Sequence, residues 1–89
     1  MSYQVLLSQK AEKSLQKMDK GVARLITSWI IKNLYSVENP RIHGKELKSN
    51  LKGLWRYQVG DYRLIAEIKN RELLIFMIEI GYRREIYEE

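Results

Sequence analysis

Apolar and polar residues alternate along residues 54–68, LWRYQVGDYRLIAEI, and the alternation reflects about Gly60-Asp61. Successive side chains of a strand point to opposite faces, so the pattern predicts a β-hairpin with two unlike faces. Gly60 accepts the positive φ that a tight two-residue turn requires. Closure at that turn pairs Val59 with Tyr62, Gln58 with Arg63 and Tyr57 with Leu64. Trp55, Tyr57, Val59, Tyr62, Leu64, Ala66 and Ile68 then line a core-facing surface. Arg56, Gln58 and Arg63 take the other face. Two guanidinium groups held together there cost free energy, an arrangement suited to receiving an anion.

Before the hairpin, residues 3–7 (YQVLL) predict a short strand. Ser8 is placed to cap a helix in which Ala11, Leu15 and Met18 recur at helical spacing, with Lys10, Lys13 and Lys17 outside. Asp19 is a second N-cap, for a helix over about 22–35 carrying Val22, Leu25, Ile26, Trp29, Ile30 and Leu34. So short a link predicts a helical hairpin. Asn39-Pro40 stops the helix, and residues 42–50 (IHGKELKSN) follow as a polar loop with Leu47 at the core edge. After the hairpin, residues 72–80 (ELLIFMIEI) are apolar on both faces, the mark of an interior strand. The preferred register turns Leu74, Phe76, Ile78 and Ile80 towards the helices, because the alternative buries Glu79. It also puts Glu79, Gly81 and Arg83 on the face of Arg56 and Arg63. Ile86 and Tyr87 form a brief final strand.

These elements give an α+β domain: an N-terminal strand and a helical hairpin packed on a mostly antiparallel sheet. The length of 89 residues allows one domain, 1–89, with a modest core. The chain has no cysteine, hence no disulfide framework and no thiolate metal site, which suits a reducing cytoplasm. Its first residues lack the basic and apolar runs of a signal peptide, and no segment has the length of a membrane span.

Charge sharpens this picture. The net charge is +5. Most of the excess falls on Arg41, Lys45, Lys48, Lys52, Arg56 and Arg63, opposed within that stretch only by Glu46 and Asp61. From charge alone a polyanionic partner and a merely solvated basic face are both open. Arg56, Arg63 and Arg83 share one face of three neighbouring strands, with Tyr87 just beyond. Arginine presents a planar fork that matches phosphate, and a nearby aromatic suits an unstacked base. Familiar catalytic templates are missing: no histidine pair, no cysteine nucleophile, no phosphate-cradling glycine loop, no HExxH. The lone histidine, His43, has no ligand partner and is given no role. Glu67, Glu72 and Glu79 make no recognisable metal cluster. RNA brings its own nucleophile, the 2′-OH, so cleavage by orientation and charge stabilisation needs no cofactor.

The run LKGLWRYQVGDYRLIAEI followed by LLIFMIEIGYRREIY resembles the RelE toxins of the RelE/ParE superfamily, over nearly the whole chain. The resemblance implies a type II toxin whose antitoxin is encoded beside it. It implies ribosome-dependent, metal-independent cleavage of mRNA in the ribosomal A site by 2′-OH attack, leaving a cyclic phosphate. By position, Arg63 matches the arginine that stabilises the transition-state phosphate, and Arg83 the arginine at the leaving 5′-oxygen. Tyr87 matches the tyrosine that orients or stacks on substrate, and Arg56 a position often held by lysine. Gln58 and Tyr82 depart from the basic residues or histidine that relatives often carry. Lys45, Lys48, Lys52 and Arg84 are the expected RNA-binding residues. Expected partners are the antitoxin, the ribosome and mRNA, with no membrane and no cofactor, in the cytoplasm. The alternatives are a gyrase inhibitor of the same fold, like ParE, and a catalytically weak module that binds antitoxin.

Overall fold

The computed structural model describes residues 2–83. Strand β1 (Gln4–Leu7) leads into helices α1 (Gln9–Lys17) and α2 (Lys20–Asn33). A two-residue strand, β2 (Lys45–Glu46), precedes β3 (Leu54–Val59), β4 (Tyr62–Lys69) and β5 (Leu74–Tyr82). The five strands form one sheet in the order β1-β5-β4-β3-β2. β1 runs parallel to β5 and every other neighbour is antiparallel. The α+β architecture expected from the sequence is the one observed.

The hairpin closes in the anticipated register, Val59 with Tyr62, Gln58 with Arg63 and Tyr57 with Leu64. Gly60 has φ 60, whereas Asp61 is not among the residues with positive φ. This is the glycine-first form of the tight hairpin turn. Tyr57, Val59, Leu64 and Ala66 from the hairpin pack against Ala11, Ile26, Ile30 and Leu34, with Trp55, Tyr62 and Ile68 at the margin. The face set by alternation is therefore the core face.

The expected register of β5 fails in part. Ile75 and Met77, not Leu74, Phe76 and Ile78, are fully buried beneath the helices, while Ile80 is buried as anticipated. The cause is a bulge. Ile65 pairs with Glu79 and its neighbour Ala66 with Met77, so Ile78 has no counterpart on β4. One extra residue reverses the alternation, and Ile75, Met77 and Ile80 all face inwards while Glu79 stays out of the core. Glu79 instead meets Lys10 of α1, Nζ to Oε2, at 3.1 Å.

Ser8 holds this bulge. Its backbone N–H donates to the Met77 carbonyl at 2.8 Å. Its hydroxyl donates to the Ile78 carbonyl at 2.6 Å and accepts from the Ala11 N–H at 3.0 Å. One side chain thus caps α1 and satisfies the backbone where the ladder is interrupted. Asp19 caps α2 through the N–H groups of Gly21 and Val22. That cap starts the helix at Lys20, two residues before the apolar stripe begins.

Residues 42–50 are not simply a loop. β2 pairs with β3 along the outer edge, Lys45 opposite Arg56 and Glu46 opposite Trp55. The ladder continues as the Leu47 N–H donates to the Leu54 carbonyl at 2.9 Å. Leu47 is buried against Ile65, with Leu51 and Leu54 around them. Two residues carry too little alternation to betray a strand. The approach to β2 is fixed by Tyr57, whose hydroxyl donates to the Pro40 carbonyl at 2.5 Å. A Cβ on Gly44 would lie 2.7 Å from the Tyr57 ring, so only glycine lets the chain pass that close. Trp29 packs on the same ring at a centroid distance of 5.7 Å and meets His43 edge-on at 6.2 Å.

Ser8→Ala removes a cap and strands a bulge carbonyl. It is expected to cost about 1–3 kcal/mol in urea unfolding. Burial pushes the Tyr57 phenol up from 10.0 to about 12, and the Arg41 charge opposes this weakly. The protonated form is the one favoured by folding. Tyr57 therefore contributes fully below pH 10 and loses that contribution as pH rises towards 12. The loss is about 2–3 kcal/mol across this window and should be missing from Tyr57→Phe in parallel denaturation curves.

Candidate functional site

The outer face of the sheet carries the expected arginines, and the strands arrange them in two groups. At the hairpin end, Arg63 sits opposite Gln58 on one side and Gly81 on the other. Gly81 has no side chain, so the guanidinium crosses β5 without obstruction. Its Nη1 donates to the Arg83 carbonyl at 3.2 Å. Arg83 immediately follows β5, and its N–H donates to the Asp61 carbonyl at 2.8 Å. Its Nε lies 4.0 Å from the Asp61 carboxylate. The structure thus brings Arg63 and Arg83 together beside the turn.

Arg56 belongs to the second group. It lies on the same face, opposite Ile65 on β4 and Lys45 on β2. Arg56, Lys45 and Lys48 line a cavity of about 110 Å³ with Glu46 and Leu47. Lys52 lies beside it, in a shallow recess shared with Lys48, Glu46 and Leu47. Ile65, directly opposite Arg56, belongs to the small apolar cluster with Leu47, Leu51 and Leu54. Leu54 and Leu47 lie on the far side of Arg56 from Gln58 and Arg63, so this apolar cluster flanks the basic cavity. Arg84 and Tyr87, the remaining expected site residues, and the final strand proposed for Ile86 and Tyr87 lie outside the described residues.

Gln58 Nε2 donates to the Gly60 carbonyl at 3.2 Å. Its amide stabilises the turn, and neither an amide nor a guanidinium serves as a proton acceptor near neutral pH. Among the described residues, no three His, Asp or Glu side chains gather in a way that could hold a metal ion. The arrangement can bind and polarise an anion.

Two features were not anticipated. Asp61 was assigned only to the turn, although closing Arg63 on Gly81 carries Arg83 to it. Arg41 stacks over Trp55, 5.7 Å from the ring centroid, and donates to Asn70 Oδ1 at 2.6 Å. Tyr3 donates to the same oxygen at 2.9 Å. That network joins the far end of the sheet and removes Arg41 from the basic face.

The sequence model describing the ParE toxin of the type II toxin–antitoxin system parDE matches residues 5–87. The chain belongs to this family. It is also 28% identical over 85 residues to the toxin RelE of Mycobacterium tuberculosis, covering 96% of this chain and 86% of that one. Its fold is similar to that in the RelBE2 toxin–antitoxin complex of M. tuberculosis, with a TM-score of 0.84 and 22% identity over 93% of this chain and 100% of that chain. For the intact RelBE complex of E. coli the TM-score is 0.72, with 18% identity over 99% and 100% of the two chains. The protein is a type II toxin–antitoxin toxin of the RelE/ParE superfamily, with the RelE-type fold. No helix among the described residues of this family member is long and apolar enough to cross a membrane.

Lys45 and Arg56 are like charges directly across an antiparallel pair. Lys45→Glu turns the repulsion into attraction. The variant should gain about 0.5 kcal/mol and melt about 2–4 °C higher in calorimetry.

Proposed function

We propose that this toxin is a ribosome-dependent endoribonuclease that cuts mRNA in the ribosomal A site without a metal ion. The observation that carries the reading is the Arg63–Arg83 pair. The two arginines meet beside the hairpin turn, the Arg63 guanidinium donating to the Arg83 backbone carbonyl at 3.2 Å. In the proposed reaction the ribose 2′-oxygen loses its proton and attacks the adjacent phosphorus in line. The bond to the 5′-oxygen breaks, that oxygen takes up a proton, and a 2′,3′-cyclic phosphate remains. Charge builds on the phosphoryl oxygens and on the leaving oxygen. Arg63 is assigned to the first and Arg83 to the second, since donors aimed at developing charge lower such barriers most. Arg56 assists from the same face, and Tyr87 stacks on or orients a base. Gln58 supplies no base, so the chain's share of the work is orientation and charge stabilisation, with the ribosome completing the site.

Lys45, Lys48 and Lys52, with Arg84, are assigned to ribosomal or messenger RNA phosphates. The cognate antitoxin is the expected protein partner, an acidic or amphipathic chain that covers the basic face and can order as it binds. The setting is the cytoplasm, where ribosomes and mRNA are found. A second reading is favoured by the family match itself, whose name is that of ParE. In that reading the same fold inhibits DNA gyrase and cuts no RNA.

Primer extension on an mRNA in a purified translation system separates them. Wild type should produce cuts only when ribosomes are present. Arg63→Ala and Arg83→Ala should each lower the cleavage rate by about a hundredfold or more, in line with loss of one charge-stabilising donor. Binding should weaken steeply with salt. Absence of cuts from folded wild type, together with gyrase-dependent DNA damage in cells, would transfer the assignment to gyrase inhibition.

A further inference from the structure

The hairpin turn meets Arg83 twice through one residue. The Asp61 carbonyl accepts the Arg83 N–H at 2.8 Å. The Asp61 carboxylate lies 4.0 Å from the Arg83 Nε. The Arg83 carbonyl in turn accepts from Arg63 Nη1 at 3.2 Å. Asp61 is thereby tied to both arginines, directly to one and through that one to the other.

The nitrogen that Asp61 addresses decides what it leaves available. A guanidinium offers Nε on its stem side and two terminal nitrogens at its end. A carboxylate seated on the terminal pair would occupy the fork that matches a phosphate. Asp61 approaches the stem side, so this contact does not use the end-on fork. The contact is long and both side chains are substantially exposed, 46% for Arg83 and 60% for Asp61. Water screens such a pair, so it orients the arginine more than it neutralises it. Arginine is rich in rotamers, and Arg83 lies just past the end of its strand. A group that must hold a developing charge gains from being ordered before substrate arrives.

We propose that Asp61 is a positioning residue. It holds the backbone and the guanidinium of Arg83 at the turn, where Arg63 bonds the Arg83 carbonyl, so that the terminal nitrogens are left to meet a phosphodiester. The proposal rests on the RNA-cleavage reading above. It has a signature that neither loss of structure nor a simple charge effect reproduces. Asp61 is an anion beside the path of a polyanion, so removing its charge favours binding of RNA while the misplaced arginine slows the chemistry.

The test uses the full chain with Asp61→Asn and Asp61→Glu. Asparagine suits a turn and keeps the carbonyl contact while losing the charge. Single-turnover cleavage is measured on mRNA in programmed ribosomes, and affinity on the same complex with a 2′-deoxy nucleotide at the cut. The Arg83 Nε–Hε resonance is followed by NMR in the toxin alone. For Asp61→Asn the expected result is a cleavage rate lowered about tenfold, affinity unchanged or tighter, and a displaced resonance. Asp61→Glu should restore most of the rate and move the resonance back. An unchanged rate with an unmoved resonance overturns the proposal. So does a joint fall in rate and affinity with the resonance unmoved, which is the mark of general damage. If wild type cuts no mRNA, the cleavage reading fails on its own and NMR decides the placement of Arg83. Inorganic phosphate is then titrated against the same resonance. A resonance displaced in Asp61→Asn and shifted by phosphate in wild type upholds Asp61 as the residue that orients Arg83 towards a phosphate. A resonance that responds to neither overturns it.

Discussion

One extra residue in β5 governs the rest of the molecule. Without the Ile78 bulge, strict alternation would force a choice between burying Ile75 with Met77 and burying Ile80. With it, all three reach the helices, and Glu79 and Gly81 turn outwards opposite Ile65 and Arg63. The same step sets where β5 ends, and so where Arg83 meets the turn. The irregularity is sustained by Ser8, which bonds the carbonyls of both Met77 and Ile78. A helix cap on one side of the sheet thus fixes the geometry of a cationic pair on the other.

Much of this was legible in the sequence. The hairpin register followed from a period of two and a Gly-Asp turn. The caps Ser8 and Asp19 followed from side chains that compete for backbone N–H groups just before apolar stripes. The bulge was not legible, because residues 74–80 are apolar at nearly every position and no polar residue marks where the phase changes. Glu79 was the only guide, and it correctly excluded itself from the core while misleading about residues upstream. β2 escaped notice because its strand character lies in pairing with β3 and not in its own two residues. The convergence of Arg63 with Arg83 was foreseen for an approximate reason. Its register was right at Ile80 and beyond, which is where the arginine lies.

The face that carries these arginines is also less uniform than its charge suggests. Leu47, Leu51, Leu54 and Ile65 form an apolar cluster beside the basic cavity around Arg56, on the side away from the arginine pair for Leu47 and Leu54. An amphipathic chain with acidic residues would gain from both the basic and the apolar parts of such a face.

The parallel pairing of β1 with β5 has a consequence in time. Gln4 is matched with Leu74, and Ser8 bonds the carbonyl of Ile78, 70 residues away. During synthesis the first strand must wait for the fifth before its edge is closed. Pairing over so long a separation is slow, since the loop is closed before the contacts return any stability. A nascent chain that has not yet reached β5 has neither the sheet's second strand nor Arg83. The order of assembly thus delays the charged pair until almost all the described chain has been made, so a partly made toxin does not yet carry it.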